Sequence, residues 1–141
     1  MSDTAKATTS YPVPENIRVS EIKTASYKLS WTKIPEAVSY KVYRLKGDSY
    51  ELLANVSGNS YIVGNLTMGQ IDTYKITAVY KEGNKKPQSD FSREIIAATT
   101  PDKVKSLKGT VTTNTAKLTW NTVNNADYYN VYLLENNEYT Y

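Results

Sequence analysis

The chain has no cysteine and no histidine in its 141 residues. Without cysteine it can form no disulfide, thiolate nucleophile or zinc–thiolate site. Without histidine it lacks the commonest general base and metal ligand, and with it the Ser-His-Asp and Cys-His arrangements. Chemistry would have to rest on carboxylates, lysine or tyrosine alone, so the expectation is a non-enzyme with no cofactor and no metal. No apolar run is long enough to span a bilayer, so no membrane insertion is expected. Charge is nearly balanced at +3, with the lysines dispersed along the chain, and nucleic acid is not an expected partner. Residues 1–10 are small and polar without a hydrophobic stretch, which reads as a mobile tail and not as a secretory signal.

What is present is a repeat. The stretch Leu29-Ser30-Trp31 through Tyr40-Lys41-Val42-Tyr43 returns as Leu118-Thr119-Trp120 through Tyr129-Asn130-Val131-Tyr132, 89 positions later. Leucine, tryptophan, a branched aliphatic, alanine, tyrosine, valine and a second tyrosine all keep that offset, the mark of a repeated domain-sized unit. With 40% hydrophobic and 22% charged residues, the chain has the material for a folded core.

The first unit reads as short strands throughout. Tyr11-Pro12-Val13-Pro14 sets a stiff extended entry, and Ile17, Val19 and Ile22 make a short first strand. Tyr27, Leu29 and Trp31 alternate with polar neighbours, as do Tyr40 and Val42 after the Pro35 turn. Lys46-Gly47-Asp48 signals a hairpin. A short, weak strand follows at Glu51–Val56, and Tyr61 and Val63 alternate again. Tyr74 to Tyr80 is the most regular strand, and Phe91 to Ala98 supplies the last. Seven short strands with frequent turns and no helical periodicity predict an all-β sandwich.

Pro12, Leu29-x-Trp31, Tyr40-x-Val42, Leu66-x-x-Gly69, Tyr74-x-Ile76-x-Ala78 and Thr99-Thr100-Pro101, in this order, resemble a fibronectin type III domain over residues 11–100. The resemblance implies an immunoglobulin-like sandwich whose core takes Leu29, Trp31, Tyr40, Val42, Leu66, Tyr74 and Ile76. One position departs from the family: where a tyrosine usually ties the corner six residues after Leu66, this chain has Asp72. Asp72 or Tyr74 must therefore tie that turn in another way.

Residues 101–141 carry Leu107, Val111, Leu118, Trp120, Tyr129 and Val131 in matching places. The resemblance makes them a partial second fibronectin type III unit, holding strands A, B, C and the start of C′, joined to the first by a short, fairly stiff connector at Ala98-Thr99-Thr100-Pro101-Asp102. Leu118, Trp120, Tyr129 and Val131 are its core positions, but the strands that would cover them are not in this stretch. Ordering a residue costs roughly 1–2 kcal/mol of backbone entropy. A side chain repays about 1.5–3 kcal/mol only when fully buried. The segment should therefore need strands from a continuing chain or from a neighbour.

Several motifs have plain structural explanations. Lys46-Gly47-Asp48 matches an adhesion tripeptide but also suits a tight turn. Asn55-Val56-Ser57 and Asn65-Leu66-Thr67 are sequons of a kind expected by chance in a chain rich in Asn, Ser and Thr. The Lys81–Pro87 loop, with Lys85 and Lys86, falls at the same end as the Thr32–Val38 loop, where sandwiches often bind partners. Thirteen tyrosines accompany a single phenylalanine. Tyr43, Tyr80 and Tyr132 read as outward, and exposed tyrosines bury contact area at small entropy cost. These three and the two lysines are the partner-contact candidates.

Two classes of function fit. The first is a structural or adhesive module in an extracellular assembly, either a bacteriophage virion (tail, fibre or head decoration) or a bacterial cell surface. Its partners would be other proteins, copies of itself or surface carbohydrate. The alternative is an accessory spacer or weak carbohydrate-binding domain of a secreted polysaccharide-degrading enzyme.

Overall fold

The computed structural model describes residues 10–141. Of the expected tail, only Ser10, which is exposed, lies within them. No helix occurs among the described residues, and none is long and apolar enough to cross a membrane. The first unit has seven strands: β1 (Arg18–Ser20), β2 (Tyr27–Ser30), β3 (Ser39–Lys46), β4 (Ser49–Val56), β5 (Ser60–Val63), β6 (Ile71–Val79) and β7 (Ile95–Ala98). They form two antiparallel sheets, β1-β2-β5 and β4-β3-β6-β7. Period-2 alternation sends one side of each strand inward. Tyr27, Leu29 and Val63 from the smaller sheet meet Tyr40, Val42, Tyr74, Ile76 and Ala78 from the larger, with Trp31 and Leu66 in the same core.

Gly47-Asp48 makes the two-residue turn between β3 and β4, with Gly47 at φ +59°, where a side chain is unfavourable. The strand expected to be short and weak at 51–56 is eight residues long, because this turn starts the ladder at Ser49. Conversely, the expected strand from Phe91 to Ala98 is regular only from Ile95. Between them, Ser89 and Ser92 do the pairing. The Ser92 N–H donates to the Ile76 carbonyl, and the Ser92 Oγ accepts from the Ile76 N–H, both at 2.9 Å. Ser89 repeats this with Ala78, again at 2.9 Å for each bond. A hydroxyl stands where a strand carbonyl would be, which lets the chain leave strand geometry while the Ile76 and Ala78 amides stay bonded.

The corner that carries Asp72 is tied through side chains. Gln70 Oε1 accepts from the Thr67 N–H at 2.9 Å, and its Nε2 donates to Asp72 Oδ2 at 2.8 Å. Thr99 Oγ1 accepts from the Gln70 N–H and donates to the Thr67 carbonyl. The Tyr27 and Tyr74 hydroxyls lie 2.7 Å apart and each 3.2 Å from Asp72 Oδ2, with the Arg44 guanidinium 3.6 Å from the same oxygen. Asp72 thus joins the turn to the core from the acceptor side, closing a triangle with two tyrosine hydroxyls of the opposing sheets that share two protons among three contacts.

Beyond Thr100 lie two separate hairpins, β8 (Lys108–Val111) with β9 (Ala116–Thr119), and β10 (Leu133–Glu135) with β11 (Glu138–Thr140). Local geometry recurs here. The Trp31 and Tyr40 rings sit 5.3 Å apart at 64°, and Trp120 and Tyr129 sit 5.3 Å apart at 63°. The Tyr40 hydroxyl accepts from the Ile34 N–H at 2.8 Å, and the Tyr129 hydroxyl from the Val123 N–H at 2.7 Å. Packing does not recur. Leu118 and Val131 are 42% and 51% exposed, and Trp120 and Tyr129 only half-buried, so the expectation that these four form a core is corrected. Nor does a third strand form at Tyr129–Val131, because no neighbouring strand pairs with that stretch as β6 pairs with β3.

Candidate functional site

The outer face of the larger sheet is where side chains without a core role gather. Its register places Tyr43 beside Lys75 of β6 and Leu52 of β4, Leu45 beside Tyr50, and Thr73 beside Ile96. Tyr43 and Phe91 pack edge to face at 5.0 Å, and Tyr50 lies 5.8 Å from Phe91 at a tilted angle. Lys75 Nζ sits 4.6 Å above the centre of the Tyr50 ring and 3.5 Å from Glu94 Oε1, an ammonium held between a π face and a carboxylate. The Tyr50 hydroxyl donates to Glu94 Oε1 at 2.7 Å, and that of Tyr43 to Gln88 Oε1 at 3.2 Å.

The electrostatics follow these bonds. Burial first, then the hydrogen bond to Glu94 and its charge, push the Tyr50 phenol up to about 12. The bond from Tyr50 is likewise the main reason that the Glu94 carboxyl lies below its ordinary value, with Lys75 adding to it. The phenol stays neutral and the carboxylate charged across the neutral range. Phe91, the only phenylalanine, stands 46% exposed in the middle, and Ile71 and Ile96 extend the apolar surface at 69% and 66%. A half-exposed ring edged by a carboxylate, an ammonium and an amide can stack on an apolar C–H face while bonding hydroxyls at its rim. No cluster of acidic side chains suited to a metal occurs among the described residues.

Of the predicted contact residues, only Tyr43 joins this cluster. Tyr80 is corrected: it is buried, stacked on Tyr11 at 4.6 Å, and its hydroxyl donates to the Pro12 carbonyl at 2.6 Å. It shares the parity of Tyr74, Ile76 and Ala78, so continued alternation carries it inward. Lys85 and Lys86 are exposed at a tight turn closed by two backbone bonds between Glu82 and Lys85. Tyr132 is exposed and leans on Tyr141 at 5.7 Å.

The reading from sequence missed Tyr50 and Phe91. Tyr50 was within reach, since a two-residue turn at Gly47-Asp48 fixes it opposite outward Leu45. Phe91 was not, because Ser89 and Ser92 both bond inward and their three-residue spacing breaks period-2 phasing. The adhesion tripeptide is the hairpin turn itself, with Lys46 paired to Glu51 at 2.8 Å. Of the sequons, Asn55 is exposed on β4, and Asn65 adjoins buried Leu66.

Two antiparallel sheets, ordered β1-β2-β5 and β4-β3-β6-β7 over one apolar core, define an immunoglobulin-like sandwich. Residues 12–94 match the fibronectin type III domain, and the chain belongs to that family. The family's domain is a non-catalytic module. The chain is similar to an amylopullulanase of Thermoanaerobacter thermohydrosulfuricus, 40% identical over 72 residues, covering 49% of this chain and 5% of that protein. It is also similar to an amylopullulanase of Thermoanaerobacterium saccharolyticum, 34% identical over 100 residues, covering 69% of this chain and 8% of that protein. The chain therefore spans less than a tenth of the length of either relative. Among solved structures, FN3tt superposes with a TM-score of 0.55 at 22% identity, over 62% of this chain and 92% of that one.

Proposed function

We propose that this chain is an accessory module of an extracellular polysaccharide-degrading enzyme, meeting the polysaccharide through the outer face of its larger sheet. One observation carries the reading: the segment it shares with two amylopullulanases is a small part of each, as an appended module would be. This supports the alternative weighed from the sequence over the virion or cell-surface module, for which the fold alone gives no argument. The face built on Tyr43, Tyr50, Phe91, Lys75 and Glu94 has the chemistry to receive a glucan chain, with ring surface for the sugar C–H face and charged groups for its hydroxyls. In this reading residues 101–141 belong to a second unit of the same kind, which the recurring packing of Trp120 on Tyr129 and the bond from the Val123 N–H to the Tyr129 hydroxyl support.

Co-sedimentation with insoluble starch and gel retardation in pullulan test the proposal. The intact chain should be depleted or retarded, and Phe91→Ala and Tyr43→Ala should each weaken that roughly tenfold, the worth of one well-packed aromatic contact. If the wild-type chain passes both polysaccharides freely, the face is no sugar contact and the module is a spacer. If a catalytic activity on either glucan resides in the isolated chain, the accessory reading itself fails.

A further inference from the structure

We infer that the Leu66–Gln70 turn is a seat for the loop at 121–126, and that this contact sets the angle between the first unit and the segment beyond it. The connector is held against the first unit only as far as Thr100. Its N–H donates to the Lys23 carbonyl at 3.0 Å, and its carbonyl accepts from the Gly69 N–H at 3.3 Å. Past Pro101 the chain would be free to swing, but the loop at 121–126 returns to the same turn.

There the Asn125 side-chain amide donates to the Met68 carbonyl at 2.8 Å. A methyl built on Gly69 would lie 3.2 Å from Asn125 Cβ and 3.4 Å from the Asn124 carbonyl oxygen. The two backbones therefore meet at a distance that glycine alone leaves comfortable, and Gly69 also sits at φ +67°. Val123, next to this contact, is buried, whereas every other residue from Lys103 to Tyr141 is exposed or half-buried. Beside it Met68, Asp102, Lys105 and Thr122 line a cleft of about 160 Å³.

The internal repeat gives an independent reason to see Asn125 as fitted to this task. The turns Val123–Ala126 and Ile34–Ala37 are each closed by a 3.2 Å bond from the alanine N–H to the first carbonyl, but only the second copy has a positive φ, at Asn125. At the tip the copies differ: Pro35-Glu36 in the first, Asn124-Asn125 in the second. Asn125 adopts φ +61°, a conformation asparagine tolerates better than glutamate, and supplies a donor that glutamate lacks. The turn in the first unit carries Pro-Glu; the loop that meets Met68 and Gly69 has the residue suited to that meeting.

The test is backbone relaxation and inter-residue NOE measurement on the full chain, wild type against Asn125→Asp. The variant keeps the side chain's shape and lies outside the first unit. In the wild type, amides of 121–126 should tumble with Tyr74–Val79, and a Gly69–Asn125 NOE should be present. In the variant the NOE should weaken and the opening of 121–126 should increase roughly three- to tenfold, the equilibrium worth of one hydrogen bond. Protection of Tyr74–Val79 should not change. Independent tumbling of 121–126 in the wild type overturns the inference, and so does a variant that matches the wild type in both readouts. Gly69→Ala is the weaker probe, because it strains the turn and fills the gap at once.

Discussion

Asp72 concentrates the polar chemistry of the core, and its two tyrosines give the fold an alkaline limit. Burial is the main reason that the Tyr27 phenol is pushed up to about 12, and burial likewise raises that of Tyr74 above its ordinary value of 10.0. In the unfolded chain both ionise near 10, so above that pH the unfolded state binds fewer protons than the folded one. Stability is then complete below pH 10 and lost as pH rises towards about 12, at about 1.4 kcal/mol per pH unit for each such group. Urea unfolding midpoints should drop across that range, and less steeply in Tyr27→Phe. A midpoint flat through it would mean that the pair is not shielded as described. Trp31 makes a simpler case. Buried against Tyr40 at 5.3 Å, it should cost about 3–5 kcal/mol when replaced by alanine, read by chemical denaturation.

At the scale of strands, the serine-paired stretch is where the fold departs from ladder chemistry. Ser92→Ala removes the acceptor of a buried N–H while leaving the backbone bond beside it. A loss of about 1–3 kcal/mol is expected, together with faster exchange of the Ile76 amide than of its neighbours. Unchanged Ile76 exchange would show that the hydroxyl is dispensable. This element also marks the limit of what alternation reveals. Leu29, Tyr40, Val42 and Tyr74 could be placed in the core from period-2 phasing, because each lies in a strand paired on both sides; Trp31 and Ile76 continue the phase of Leu29 and Tyr74. Phe91 could not, because the hydroxyl rungs around it follow no fixed parity. The candidate face was legible only through Tyr43; the long reach of β4, which brings in Tyr50 and Leu52, depends on where a turn starts a register.

At the scale of the molecule, the two copies of the repeated motif bury equivalent residues to different degrees. With one tryptophan in each, acrylamide should quench Trp120, studied in Trp31→Phe, far more than Trp31, studied in Trp120→Phe. Equal quenching would mean that residues 102–141 close over Trp120 in solution. Amides of Ala116–Thr119 should likewise exchange much faster than those of Tyr74–Val79. The serine pairing has one further consequence. A sheet edge with a full row of free N–H and C=O groups invites other chains to add strands and grow into fibrils. At the β7 edge of the larger sheet the strand is regular for only four residues, and the run before it leaves strand geometry because serine hydroxyls replace its rungs to β6, so that edge offers a foreign strand only a short row of free groups. This edge should therefore not seed association at high concentration, and Ser89→Val with Ser92→Val should turn a clear concentrated solution into one that nucleates thioflavin-positive aggregate.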